Sequence, residues 1–500
     1  MVNSGLPLPS TAGLDSACLP DSVRGAVEAR LDMLDVDERA IIDVLAAAGG
    51  DVHLGEASQV ARAGLHPPID PLRFAAALNR LLTAGLVEER EVVSAGRRVT
   101  GYGFRHPVVR LACYSGLNAA HKQVLHAAYA DAVLGHRPDA VDAVVFHLVL
   151  ADDPRAMTWL RRAAERAAAL YANDSADRYY SELIGRLDAT DEQAAVADAR
   201  HDHALILRRL ARYDQAEQAL RSALERRLRT GTADAAARSL AALAEVVCQS
   251  GDPKGARALL DGTTLPSGLL SATARVALHL ASSVVDFPLG GYEQMLASAI
   301  EAESAARATA GEGDGVPLLL GRALGNRSLA LAMLDRTSEA HQVGHQALEH
   351  AESVADIGLL TTVLSMLSEF ALRAGRYDEA RVYRGRSLDL AERAGDPTHI
   401  AFERGNLARL DLVTGNLEEA HEGALAAVEL VRPFGNPWCL VYCLVHLARV
   451  ALKRADLDAA ESALRESESF ALRSGDIQAL ESVDRITREL DQARAADGRL

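Results

Sequence analysis

From about residue 154 onward, apolar side chains recur at the three- and four-residue spacings of amphipathic helices, and the pattern restarts almost every forty residues. An alanine marks each restart: Ala176, Ala216, Ala256, Ala340, Ala380, Ala420 and Ala460. The surrounding words agree. Arg212-Tyr213-Asp214-Gln215-Ala216, Gly375-Arg376-Tyr377-Asp378-Glu379-Ala380 and Gly415-Asn416-Leu417-Glu418-Glu419-Ala420 each read as a tight turn followed by the acidic first turn of a helix, where the helix dipole favours carboxylates. Gly251, Gly375 and Gly415 fall at that turn, where a left-handed residue is needed. Pro154, Pro397 and Pro437 each follow an Asp or Asn and mark helix starts. One helical hairpin cannot bury its own apolar face, so a fixed period of this kind means hairpins stacked in series. The pattern predicts a mostly α chain: an α-solenoid of about eight hairpins over residues 154–475, then a capping helix and tail over 476–500. Leu480, Val483, Ile486 and Leu490 share one face of that cap. The spacing slips once, between Ala256 and Ala340; Gly291-Tyr292-Glu293-Gln294-Met295 centres the unit between, and the surplus is assigned to a loop at 310–315.

The N-terminal part has a different rhythm. Residues 1–19 are rich in Ser, Gly and Pro and read as a disordered lead-in. A helix opens at Leu19-Pro20-Asp21-Ser22, with Val23, Val27, Leu31 and Leu34 on one face; a second spans about 36–48, a short one 54–63, and another Pro71 to Ala84. In the last, Leu72, Phe74, Ala75, Leu78, Leu81 and Leu82 are expected to point inward. The period then changes to two. Leu86 to Val93 and Arg97 to Phe104 read as strands joined by the turn Ser94-Ala95-Gly96. Helices followed by such a hairpin predict a small winged-helix domain over 36–106, so that 20–106 comprises a linker helix and the winged helix. Residues 107–153 form a helical connector, with helices expected near 107–115 and 118–134.

Composition narrows the function. Five hundred residues exceed one compact core. Aromatics are 4% of the chain, and Ala and Leu carry the apolar load, which suits helices packed through small side chains. The net charge of −16 repels phosphate backbones and disfavours direct nucleic-acid binding. Five scattered cysteines suggest reduced thiols in a cytoplasmic protein. The N-terminus lacks a basic and apolar leader pattern, and no stretch is apolar enough to span a membrane, so neither is expected.

The hairpin words resemble tetratricopeptide repeats. Leu407-Ala408, Gly415, Leu417 and Ala420 fall at that family's relative spacings, as do Ala204, Tyr213, Ala216, Ala223 and Leu224. The units are longer than the usual thirty-four or so residues, with the surplus in joints such as Ala394-Gly395-Asp396-Pro397. Leu19-Pro20-Asp21-Ser22-Val23 through Arg30-Leu31-Asp32-Met33-Leu34, then Phe104-Arg105-His106-Pro107, Ala112-Cys113-Tyr114 and Leu125-His126, resemble the segments flanking the winged helix in STAND-type, LuxR- or AfsR-like bacterial regulatory ATPases. Together these resemblances cover about residues 20–475. They imply a transcriptional regulator's sensor arm that binds a protein, a peptide or a small inducer. The family's phosphate loop is missing: no Gly-x-x-x-x-Gly-Lys-Ser/Thr occurs, and none of Lys122, Lys254 and Lys453 follows a glycine. The chain therefore reads as the sensor part without the nucleotide-binding domain, and no cofactor is expected.

Candidate chemistry follows. A winged helix that reads DNA would use Arg73, Asn79 and Arg80 on its third helix and Arg97 and Arg98 on its wing. Acids outnumber arginines over 36–106, and Glu88, Glu89 and Glu91 crowd the first strand, which favours a packing module over a DNA reader. Cys439, Cys443 and His446 lie at i, i+4 and i+7 of one helix. Given a fourth ligand they can hold zinc, but the same spacing is a buried stripe, and cysteine is a common core residue; no metal is expected. His341 and His345 lack the glutamate of a metalloprotease motif and read as solvent-facing. No nucleophile motif or dinucleotide fingerprint occurs, and pairs such as Glu418-Glu419 are explained by helix dipoles. The chain is read as a non-enzyme.

In tetratricopeptide repeats the first helices line a concave face. Fourteen residues before each repeat alanine stand Asp202, Ala242, Asn326, Met366, Asn406 and His446; eleven before stand Leu205, Glu245, Leu329, Glu369, Arg409 and Arg449. Asn326 and Asn406 match the asparagine that in that family bonds a peptide backbone. Arg409 and Arg449, one repeat apart, can fork onto a carboxylate or phosphate. The candidate groove is Asn326, Glu369, Asn406, Arg409, His446 and Arg449, in an open trough. The competing readings are groove residues that merely face water on a plain assembly scaffold, and a DNA-binding regulator that works through the winged helix.

Overall fold

The computed structural model describes residues 21–94, 97–266, 270–308, 316–434 and 437–497. The expected lead-in at 1–19, the turn residues Ala95 and Gly96, and the loop at 310–315 lie outside the described residues. The chain forms two compact units: one runs to Arg166 and takes in Arg178–Arg186, and the other holds Ala167–Asp177 and everything from Leu187 onward.

The first unit begins with α1 (Asp21–Leu31), α2 (Val36–Ala47), β1 (Val52–His53), α3 (Leu54–Ala63), α4 (Pro71–Thr83), β2 (Val87–Ser94) and β3 (Arg97–Phe104). Local chemistry sets these boundaries. Asp35 and Glu38 form a reciprocal capping box at the start of α2 (2.8 and 2.9 Å). Asp70 accepts from the Leu72 and Arg73 amides, and Pro71 takes the first helical position of α4. The strands form an antiparallel sheet of order β1-β3-β2, with Val52 opposite Tyr102 and Val87 opposite Phe104. β3 is central and carries Gly101, where a Cβ would meet the Val92 side chain at 2.6 Å and the Val52 carbonyl oxygen at 2.9 Å. Ile41, Ile42, Leu45, Phe74, Leu78 and Leu81 fill the core. Leu72 and Ala75 do not join them: Leu72 is 83% exposed and Ala75 is exposed. The helical stripe runs through Phe74, Ala77, Leu78 and Leu81, which turns residues 72 and 75 outward. Next come α5 (Pro107–Gly116), α6 (Ala119–His136) and α7 (Val141–Leu150). The connector thus has a third helix that spacing did not predict.

Eight helical hairpins follow among the described residues. They are α8 (Ala156–Ala169) with α9 (Asn173–Leu187), through which the border between the units runs, α10 (Gln193–Arg209) with α11 (Tyr213–Thr230), α12 (Ala233–Gln249) with α13 (Pro253–Gly262), and α14 (Ala272–Asp286) with α15 (Tyr292–Ala308). The rest are α16 (Val316–Met333) with α17 (Thr337–Val354), α18 (Ile357–Arg373) with α19 (Tyr377–Ala394), α20 (Pro397–Thr414) with α21 (Leu417–Val431), and α22 (Pro437–Lys453) with α23 (Leu457–Ser474). α24 (Ile477–Asp497) caps the array and buries Val483, Ile486 and Leu490. The mostly α solenoid read from the sequence is the fold observed.

Its repeat is finer than the alanines alone disclose. Each hairpin turn has a left-handed residue five positions before the repeat position: Tyr171, Ala211, Gly251, Gly290, Asp335, Gly375, Gly415 and Ala455. This register makes Met295 the missing repeat residue. Twelve positions before, on the first helix, only Ala or Ser occurs in the second unit: Ala204, Ala244, Ser283, Ser328, Ser368, Ala408 and Ala448, all buried. The serines donate to carbonyl oxygens of the second helix, Ser328 to Ala340 at 2.7 Å and Ser368 to Ala380 at 2.8 Å. Small residues on both sides let the two helices approach closely, and the hydroxyl finds an acceptor inside the hairpin. First helices pack on neighbouring first helices, whereas second helices do not pack extensively on one another, so the first helices lie on the inside of the curve.

The open trough is not what the array forms. Hairpins five apart touch. Asn173 donates to the Ala394 carbonyl at 3.0 Å, Tyr213 shares a buried hydrogen bond of 3.2 Å with Thr398, and the Ile477 amide donates to the Pro288 carbonyl at 3.0 Å. A Cβ on Gly251 would meet Pro437 at 3.0 Å. One turn of the array therefore touches the next at these points.

Candidate binding groove

The inner face carries the residues eleven and fourteen positions before each repeat residue, and most are partnered inside the chain. Glu245 on α12 accepts from Arg208 of α10 and Arg322 of α16, each at 2.7 Å. Burial pushes its carboxyl up, but Arg322 and Arg208 outweigh burial and hold it below the ordinary glutamate value. Three first helices meet on this one carboxylate, so this stretch of the inner face is closed by a salt bridge.

Further along, the structure brings Glu369, Arg409, His446 and Arg449 together, on α18, α20 and α22. Glu369 accepts from Arg373 at 2.8 Å and from Arg409 through a short contact. Burial lowers the proton affinity of the Arg409 guanidinium, and Glu369 opposes that shift. His446 is buried, and its Nδ1 has no hydrogen-bond partner among the described residues. Burial, then the charges of Arg409, Arg449 and Arg384, push the imidazole well below its usual pKa. Arg449 differs from the rest. It makes no hydrogen bond or ion pair among the described residues, and burial, with Arg409 and Arg485 adding to it, pushes its guanidinium down to about 10.

Asn406 is buried, and its amide donates to the Phe402 carbonyl of its own helix at 2.9 Å. Asn326 is half-buried, with a Nδ2 that finds no partner among the described residues, and no hydrogen bond or ion pair links it to the arginines. The spacing argument missed Arg384 and Glu403. They form a pair of 2.6 Å with side chains 3% and 0% exposed, and Ser365 and Ser387 complete the bonding. It also missed the aromatic stack of Phe402 on Trp438 (5.2 Å), with Tyr442 beside it. Arg384 and Glu403 have no counterpart forty residues away, so periodicity carries no signal for them; Phe402 and Tyr442 lie one repeat apart, a signal that polar positions alone do not collect.

The arginines proposed for DNA are engaged elsewhere. Arg73 is bidentate to Asp37 (3.0 and 2.6 Å), and Arg80 reaches Glu38 at 2.6 Å and Asp35 at 2.8 Å. Arg98 pairs with Glu91 at 3.1 Å, while Asn79 and Arg97 are exposed. Cys439 and Cys443 lie in the core with their sulfurs 3.9 Å apart, donating to the Thr398 and Ala401 carbonyls of α20. The adjacent Cys443 thiol, then burial, raises the Cys439 thiol well above its usual value. No group of three or more His, Cys, Asp or Glu side chains suited to a metal occurs among the described residues. His345 is exposed, but His341 is half-buried and packs edge-on against Phe370 at 5.3 Å, a departure from the solvent-facing reading. A separate polar cavity of about 260 Å³ lies among α15, α16 and α17, where Arg307 and Arg327 both pair with Glu303. Among the described residues no helix is long and apolar enough to cross a membrane.

No family model matches the chain, and no curated protein does. Among solved structures it is similar to a signal transduction ATPase with numerous domains (STAND) protein with a tetratricopeptide repeat sensor from Pyrococcus horikoshii, at 13% identity and a TM-score of 0.48, over 93% of this chain and 67% of that one. It is also similar to a Rap protein complexed with competence and sporulation factor (12% identity, TM-score 0.41, 68% of this chain and 98% of that one). A third is aspartyl phosphate phosphatase F from Bacillus subtilis (14% identity, TM-score 0.37, 70% of this chain and 89% of that one).

Proposed function

We propose that this chain is a non-catalytic regulatory protein whose inner solenoid face captures a protein segment, a peptide or a small inducer. The observation that carries this reading is Arg449. It is a half-buried arginine on the inner face with no ion pair among the described residues. Burying an unpaired charge is costly, and such a charge is retained where it does something other than stabilise. We read α2–α4 with the sheet as a winged helix that packs and relays, because its third-helix arginines are neutralised by Asp35, Asp37 and Glu38.

The test is a selection. A random peptide library is panned on the immobilised full chain and, in parallel, on the Arg409→Ala/Arg449→Ala variant. We expect enriched peptides that lose at least about tenfold in affinity on the variant, equivalent to roughly 1.4 kcal/mol. Peptides that bind both proteins equally would place the binding surface elsewhere. A mobility shift of duplex DNA that vanishes with Arg97→Ala/Arg98→Ala would revive the DNA reading.

A further inference from the structure

We infer that the inner face of α18, α20 and α22 is an oxyanion site with a built-in competitor: a carboxylate or phosphoryl group bridges Arg449 and Arg409, and Glu369 is the internal carboxylate it displaces from Arg409. This rests on the inner face being the ligand surface, and it adds the ligand's chemistry and the residue that tunes it.

The charge inventory points this way. Arg373 and Arg409 share one carboxylate, Glu369, and already occupy its two oxygens, while Arg449 feels Glu369 only through space. Arg384 has its own buried partner in Glu403. Arg485 and Glu489 on α24 are exposed and influence Arg449 only through space. The site is therefore rich in donors and poor in acceptors. The Arg409 Nε is buried with no acceptor, and the His446 Nδ1 is buried with no partner among the described residues. His446 packs against α20 at Gly405, where a Cβ would lie 3.4 Å from its ring, and the charges of Arg409 and Arg449 both reach its imidazole. Two arginine forks and a neutral imidazole match an oxyanion, whose lone pairs accept several N–H groups in one plane. Glu369 already supplies such a group to Arg409. It neutralises that arginine in the free protein, and any ligand must outcompete it.

The distinguishing experiment measures thermal unfolding and binding by calorimetry on the full chain, with inorganic phosphate and with citrate as probes at constant ionic strength. Phosphate binding alone points to a phosphoryl ligand and citrate binding alone to a carboxylate; either supports the site. We expect wild type to be stabilised by one of them, Glu369→Gln to bind it about tenfold more tightly, and Arg449→Leu to lose binding. Arg449→Leu should also unfold at a higher temperature than wild type without added anion, because it removes an unpaired charge; this readout remains if Glu369→Gln fails to fold. If Glu369→Gln folds and binds no better while Arg449→Leu loses binding, the competitor role falls and the ligand surface stands. If neither anion binds and Arg449→Leu is no more stable than wild type, the oxyanion site itself is overturned.

Discussion

At the scale of single residues, the backbone shows where this chain departs from its own optimum. Four of the eight hairpin turns place a residue other than glycine in the left-handed region: Tyr171, Ala211, Asp335 and Ala455. An L-residue there costs about 1–2 kcal/mol, and glycine avoids that cost at some expense in chain entropy. Burial decides which substitution helps. Ala211 is buried, so its methyl returns about 0.8 kcal/mol, and Ala211→Gly should be nearly neutral. Ala455 is exposed, so Ala455→Gly should stabilise by about 1 kcal/mol. Urea midpoints of the two variants check this, and a lower midpoint for Ala455→Gly would show that its turn carries no strain. The Arg384–Glu403 pair makes the opposite case. Glu403→Ala strands a buried guanidinium and should cost about 3–5 kcal/mol in the same assay; a change near zero would mean that water reaches Arg384. The sequence pointed to Gly251, Gly375 and Gly415 as turns because glycine advertises a left-handed backbone. Ala211 and Ala455 do the same job silently, since alanine is the ordinary residue of the helices around them.

At the scale of elements, α7 shows why one helix escaped the sequence reading and what it brings. Val141–Leu150 is almost continuously apolar, so no polar face marks a helical period. Its His147 is buried and meets His126 of α6, Nδ1 to Nδ1 at 2.9 Å. His126 in turn bonds the Tyr114 hydroxyl of α5 at 2.8 Å, and Tyr129 stacks on His147 at 4.9 Å. Three helices are thus tied by one buried chain of polar groups. Burial, with Lys122 adding to it, pushes His126 down to about 4; burial, His126 and Arg137 push His147 well below its usual value. Both imidazoles are neutral in the folded chain, whereas in the unfolded chain they titrate near 6.5. The stability that this neutrality brings is whole above that pH. It drains as pH falls toward about 4, because only the unfolded chain takes up the protons. Asp43 on α2 acts oppositely: burial raises its carboxyl to about 6, so below that pH the folded chain takes up its proton first. Two imidazoles against one carboxyl leave a net loss. Hydrogen exchange across residues 107–150 should therefore quicken between pH 6.5 and 4.5, after correction for the intrinsic rate, and His147→Phe should flatten the dependence. A profile that His147→Phe leaves unchanged would assign the effect to other groups.

At the scale of the whole array, the sequence period states which hairpins are neighbours along the chain but not how far each is rotated from the last. That rotation accumulates from small crossing angles, and a modest difference per hairpin decides between an open trough and a winding that closes on itself. Of the residues that close it, Asn173 and Tyr213 do share a repeat position, three before Ala176 and Ala216, but their partners Ala394 and Thr398 do not, so spacing does not say which distant hairpin each one meets. A solenoid with nearest-neighbour contacts alone opens locally, hairpin by hairpin. Here the seam couples hairpins five apart through bonds worth about 1 kcal/mol each, more where a buried carbonyl such as that of Ala394 is left unpaired. Asn173→Ala with Tyr213→Phe removes two of these bonds and leaves the hairpins between them untouched. Amide exchange should then quicken at 394–400, far in sequence from either substitution, while α14 to α17 keep wild-type protection. Faster exchange confined to the turns around 173 and 213 would mean that the touching hairpins share no stability and that each opens alone.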